Sequence, residues 1–113
     1  MKIITDKVSL DELKSMSQRM FGNLVKAVVD LERGIMAVDA ELHADEEGLL
    51  LQDGSKQTDL WGINLYPEIS GDDWLEFDSM INLRPSQGNR SRSVEDALVR
   101  EKIRGIVNKL VTR

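Results

Sequence analysis

Residues 84–92 read RPSQGNRSR, placing three arginines, two serines, an asparagine and a glycine within nine positions. Pro85 suits the end of a strand, Gly88 a tight turn and Ser93 the start of a helix. A loop feeding a helix N-terminus offers free backbone N–H groups and a partial positive charge. With three guanidinium groups added, these are the ingredients of an anion site. In that reading Arg84, Arg90 and Arg92 contact negative groups, Asn89 and Ser91 orient them, and a helix beginning near Val94 supplies its dipole. A second reading is purely structural: Asn89 and Ser91 satisfy loop backbone groups while Arg84 pairs with Glu76 or Asp78. No glycine–lysine pair is present, which excludes a standard nucleotide P-loop.

The stretch ELHADEE, residues 41–47, holds the only histidine of the chain. If its start is extended, Glu41, His43 and Asp45 share one face. Such a carboxylate-rich set suits magnesium or manganese better than zinc. An unperturbed imidazole also suits general-base work. His43 with Asp45, Glu46 or Asp78 would then make a small hydrolase or other acid–base enzyme. The simpler reading is that His43 and Asp45 cap a helix whose first turn is acidic. No Gly-x-Ser-x-Gly accompanies them, and neither a metal nor any other cofactor is assigned from the sequence.

Two further stretches, DLWGINLYP and WLEFDSMINLR, alternate as strands. Trp61, Ile63 and Leu65 fall on one face, with Gly62, Asn64 and Tyr66 on the other. Leu75, Phe77, Ile81 and Leu83 point inward, leaving Trp74, Glu76, Asp78, Asn82 and Arg84 opposite. If helices cover one side only, these polar side chains line the other. Trp61 and Asn64 thereby join the candidate ligand-binding residues. Trp74 and Tyr66 among the charges suggest an interface, and so a homodimer contact.

The elements that must position these residues follow from pattern and composition. At 113 residues with 41% hydrophobic and 31% charged, the chain has the balance of one globular domain, residues 1–113. Without cysteine there is no disulfide, thiolate nucleophile or zinc–thiolate site. No apolar run approaches the roughly 18 residues of a membrane span. The opening MKIITDKVSL lacks a signal-peptide core, so a cytoplasmic protein with no membrane partner is the default expectation.

Residues 1–80 carry 7 Lys or Arg against 17 Asp or Glu, while residues 81–113 carry 8 against 3. A basic C-terminal quarter can bind a polyanion or pair with the acidic body. Nucleic acid is not favoured, because its non-specific binders are usually basic overall.

Ser9 and Glu12 form a capping box that opens a helix running to Gly22. LVKAVVDLERGIMAV then reads as a hairpin, with Val25, Ala27, Val29 and Leu31 facing one way and Lys26, Asp30 and Glu32 the other. HADEEGLLLQDG is a short helix ending at Gly54. A second hairpin turns through PEISGDD. A last helix, capped by Ser93, aligns Val99, Ile103, Ile106, Val107, Leu110 and Val111. The expected fold is α+β, in the order α-ββ-α-ββ-α, with a four-stranded antiparallel sheet from two hairpins and three helices on one face.

Over nearly its whole length the chain resembles a family of small, mostly bacterial proteins classed as domain of unknown function 5674. The strings that carry the likeness are ELHADEE, DLWGINLYP and INLRPSQGNRSR…VED, against a signature like GELHADEE…GSxQxDLWGxNxYP…INIRPSQGNRS. The resemblance implies positions rather than an activity. They are His43, Asp45 and Glu46; Asp59, Trp61, Asn64 and Tyr66; and Arg84, Pro85, Gly88, Asn89, Arg90 and Ser91. Asp39-Ala40 stands where the signature usually has a glycine pair, which speaks against a tight turn there.

These readings converge on a non-enzymatic binding or regulatory module, for instance a small regulator of a toxin–antitoxin-like system. Its partner would be an anionic ligand of unknown identity or a protein. The expected ligand-binding residues are Arg84, Asn89, Arg90, Ser91, Arg92, Asn64 and Trp61.

Overall fold

The computed structural model describes residues 1–113. Its strands are β1 (Lys2–Ile4), β2 (Val8–Ser9), β3 (Val25–Asp30), β4 (Ile35–Val38), β5 (Leu60–Leu65), β6 (Leu75–Glu76) and β7 (Val111–Thr112). Its helices are α1 (Leu10–Met20), α2 (His43–Gln52) and α3 (Ala97–Leu110). The class is α+β with three helices, but the sheet has five strands, not four. Their order is β1-β4-β3-β5-β6, and every neighbouring pair is antiparallel. β2 and β7 form a separate parallel pair. The extra edge strand β1 is only three residues long, too short for alternation to reveal it.

The first hairpin forms as its alternation dictates, with Asp30 opposite Ile35. The second is largely replaced. β5 pairs along its whole length with β3, from Val25–Leu65 to Asp30–Leu60. It meets β6 only at Asn64–Glu76 and Leu65–Leu75. From Phe77 onward the chain leaves the sheet through 3-10 turns at Met80–Asn82 and Pro85–Gln87. Ser79 caps the first of these, its Oγ accepting from the Ile81 N–H at 3.2 Å.

The helices cover both faces of the sheet, not one. α1 and α3 bury Leu13, Met16, Ile103, Val107 and Leu110 against Ala27, Val29, Met36, Val38 and Ile63. α2 buries Leu50 against Val28, Ile35, Ala37 and Leu60 on the other side. The cause is visible in IMAV, where all four residues are buried. A strand apolar on both sides needs cover on both sides. Each fully buried aliphatic side chain such as Leu50 contributes about 1.5–3 kcal/mol.

The ends of α1 follow the sequence: Ser9 Oγ accepts from Glu12 N at 3.0 Å. α3 does not, since its cap is Asp96, whose carboxylate accepts from Leu98 N at 2.8 Å and Val99 N at 3.3 Å. Ser93 is bypassed because Val94 is drawn wholly into the core before the helix starts. Asp39 adopts φ 71, alone among the non-glycine residues at positive φ. The chain bends at Asp39 without a hydrogen-bonded turn. Asp is among the few side chains that tolerate this region, and here its carboxylate lies 3.3 Å from Arg19. No helix is long and apolar enough to cross a membrane.

Candidate functional site

Arg84, Asn89 and Ser91 of RPSQGNRSR are turned inward to hold the loop itself. Gly88, at φ 79, lets the backbones of Arg84 and Asn89 exchange hydrogen bonds of 2.9 and 3.2 Å. Arg84 does not reach Glu76 or Asp78. It donates to the Gln57 carbonyl at 2.6 Å and to the Leu60 carbonyl, and stacks over Trp61 at 4.4 Å from the ring centroid. Trp61 is buried beneath it. Burial holds the Arg84 guanidinium below its ordinary pKa, against the pull of Glu47.

Asn89 is buried as well. Its amide nitrogen donates to the Asn82 and Ser93 carbonyls, each at 2.7 Å, and its Oδ1 accepts from Glu95 N at 2.9 Å. Ser91 Oγ accepts from Ser93 N at 3.2 Å. Of the loop's charged side chains, those of Arg90 and Arg92 are exposed to solvent and that of Arg84 is not. The contrast is measurable. Asn89→Ala strands one buried carbonyl, two partly buried ones and an N–H, and should lower the free energy of unfolding in urea by about 2–3 kcal/mol. Arg90→Ala should stay within about 0.5 kcal/mol of wild type.

Asn82 does for β5 what a longer β6 would have done. Its Oδ1 accepts from Gly62 N at 2.8 Å and its Nδ2 donates to the Gly62 carbonyl at 2.9 Å and the Arg92 carbonyl at 3.0 Å. One side-chain amide thus satisfies an open strand edge and ties the loop to it. Ser79 lies directly against Gly62, and its backbone N–H donates to the Arg92 carbonyl at 3.0 Å. Asn64, also buried, donates to Glu76 at 2.8 Å, and Tyr66 reaches the same carboxylate at 3.0 Å.

His43 opens α2 and is buried against the sheet, its Nε2 2.8 Å from the Ile63 carbonyl. A carbonyl only accepts, so Nε2 carries the hydrogen and Nδ1 keeps a lone pair. Burial pushes the imidazole pKa down. The Ile63 bond and Asp78 oppose this, while the cations Lys26 and Arg92 reinforce it. His43, Lys26, Ser79 and Arg92 line one pocket of about 180 Å³, with Leu42 and Met80 at its rim. Arg92 is held by Asp78, Nε to Oδ1 at 2.8 Å. Lys26 makes no ion pair; its ammonium lies 5.0 Å from the Phe21 ring centroid.

The remaining expectations separate. Glu41, His43 and Asp45 do not converge, because α2 begins at His43 and a helix turns alternate residues apart. Neither does His43 or Asp45 cap that helix: its cap is Leu42, without a side-chain bond. Asp45 faces a different cavity with Glu41 and Gln52. Glu46 is fully buried, its Oε2 accepting from Ala40 N at 3.1 Å and its Oε1 without a partner. Burial pushes its pKa up to about 10. Trp74 does not join the polar face. It is packed in the core with the side chains of α1 and α3, Arg113 stacked 4.5 Å from its centroid, which removes Trp74 from the surface expected to form a homodimer contact and leaves only Tyr66 on that face.

Of the pocket residues, His43 and Arg92 were legible as candidates and Lys26 and Ser79 were not. The signal for Lys26 was its position as the lone cation in the apolar run VKAVV. Ser79 had none, because its role rests on contact with a glycine distant in sequence.

A family model described as Protein of unknown function (DUF5674) matches residues 2–110. No curated protein and no solved structure matches the chain.

Proposed function

This chain belongs to the family of proteins of unknown function DUF5674, and we propose that it is a non-enzymatic binding or regulatory module. Its ligand or protein partner presents an anionic group to the pocket between Lys26, His43, Ser79 and Arg92. One observation carries the reading: two cations and a neutral imidazole face the same small cavity, where ELHADEE meets the end of RPSQGNRSR. Lys26 is free of carboxylates, and the half-exposed Arg92 can exchange Asp78 for an incoming anion. Leu42 and Met80, 55% and 62% exposed, give that anion an apolar collar suited to a partner's surface.

Asn64 steadies the partner of Arg92, its amide reaching the Asp78 carbonyl at 3.3 Å, whereas Arg84, Asn89 and Trp61 hold the loop to the sheet and Arg90 stands outside the pocket. Ser91 shapes the approach to Arg92. The acid–base alternative retains one favourable feature, the lone pair on His43 Nδ1. It lacks an orienting carboxylate, since the hydrogen bond of the ring goes to the Ile63 carbonyl.

Thermal unfolding with inorganic phosphate, pyrophosphate and short acidic peptides tests the reading. An anion at 100 times its Kd should stabilise the wild type by about 2.7 kcal/mol. Arg92→Gln and Lys26→Gln should each weaken that binding about tenfold or more. A shift retained in full by both variants would move the site elsewhere.

A further inference from the structure

The largest cavity lies on the opposite side of the sheet from the His43 pocket and shares no residue with it. It measures about 660 Å³, between the β1–β2 turn, the β3–β4 turn and α3. Lys7, Arg33, Lys102 and Lys109 face it, against the single acid Asp6. Leu31, Ile106 and Leu110 form its apolar side. In a chain of formal net charge −5, this concentration of cations stands out.

Two of the four are already engaged. Lys7 donates to the Lys109 carbonyl at 2.6 Å, closing the end of α3. Arg33 pairs with Asp53 at 2.7 Å and donates to Ser55 Oγ at 2.9 Å. Lys102 and Lys109 have no carboxylate partner and lie two helical turns apart on one side of α3.

Gly105 sits between them. Glycine inside a helix is costly relative to alanine, and here neither backbone nor packing demands it. Its φ is ordinary, and an added Cβ would meet nothing within 4 Å. The missing side chain leaves the helix surface open at the lysines, as a ligand seat requires.

We propose that this cleft binds a small organic anion, phosphorylated or carboxylated, carried on an aliphatic body. Lys102 and Lys109 hold the charged end, and Leu31 and Ile106 pack against the chain. No aromatic side chain lines the cleft, so it offers no stacking platform for a nucleobase. Its volume falls in the range of small-molecule sites, roughly 300–1,000 Å³.

The test is an NMR titration with n-octyl phosphate, below its micelle-forming concentration, beside inorganic phosphate. The amides of Gly34 and Gly105 report on the cleft and the ring of His43 on the other pocket. Octyl phosphate should shift both glycines saturably, with inorganic phosphate at least about tenfold weaker for want of an apolar contact. Lys102→Gln with Lys109→Gln should weaken binding about tenfold. Gly105→Leu should raise the melting temperature by a few degrees or so and abolish the shift of Gly34. Three results would each overturn the site: no saturable glycine shift in the wild type, unchanged affinity in the lysine variant, or shifts confined to the His43 ring. The last would leave the His43 pocket standing as the only anion site.

Discussion

Glu46→Gln should raise the stability of the protein at pH 7 by up to about 3 kcal/mol. The reason is the wholly buried carboxyl group, whose pKa stands near 10 in the fold against an ordinary 4.5. Below pH 4.5 both folded and unfolded chains hold the proton, and the group costs nothing. Between 4.5 and 10 the unfolded chain releases the proton while the folded chain keeps it. Stability therefore falls as pH rises through that window. Glutamine keeps the Oε acceptor for the Ala40 N–H and has no proton to lose. Urea unfolding at pH 4.5, 6, 7 and 8.5 should show variant and wild type nearly equal at the lowest pH and diverging steadily above it. A gap independent of pH, or a variant less stable at pH 8.5, would mean that Glu46 is ionised where it lies.

Gly62→Ala should cost about 3 kcal/mol. A Cβ at this position would lie 2.5 Å from Ser79 Cβ, 2.6 Å from Ser79 Oγ and 3.1 Å from Ile81 Cγ1. The nearest of these, Ser79 Cβ, is fixed to the backbone and cannot rotate away, so residues 79–82 would have to move as a unit. That motion would draw the Asn82 amide away from the Gly62 N–H and carbonyl, leaving both hydrogen bonds broken or stretched. Ser79→Gly in the same chain removes both of the closest atoms and should restore a large part of the loss. Denaturant melts of the single and double variants decide the matter. A Gly62→Ala protein as stable as wild type would show that Ser79 yields freely.

The parts of this fold that obey local rules were legible in the sequence. Ser9 and Glu12 set the start of α1, the alternation of Val25, Ala27 and Val29 set the β3–β4 hairpin, and Gly88, at φ 79, sits where a tight turn was expected. What was hidden depended on distant partners. Alternation placed Trp74 opposite Leu75, but a 3-10 turn at Asp72–Trp74 ends just before β6, so strand parity does not reach Trp74. Past Phe77 the pattern still alternates, yet Asn82 replaces a strand with a single amide. Cover on both faces was implied by the unbroken IMAV run, though charges at Lys26 and Asp30 suggested an open face.

The candidate site divides the same way. His43 and Arg92 stood out by residue type. Lys26 and Ser79 reach the pocket only through the pairing of β3 with β5 and the packing of Ser79 on Gly62. Arg84 and Asn89 looked equally ligand-like, and their carbonyl partners at Gln57, Leu60, Asn82 and Ser93 explain why they are held inside instead.

The single histidine offers the most direct measurement of anion recognition at this pocket. The ring resonances of His43 should titrate below the ordinary 6.5, because burial disfavours the imidazolium. Saturating inorganic phosphate should raise that midpoint, since an anion between Lys26 and Arg92 favours the charged ring. Arg92→Gln should remove the phosphate effect, while Lys102→Gln with Lys109→Gln should leave it intact. A midpoint identical with and without phosphate would contradict anion binding at this pocket.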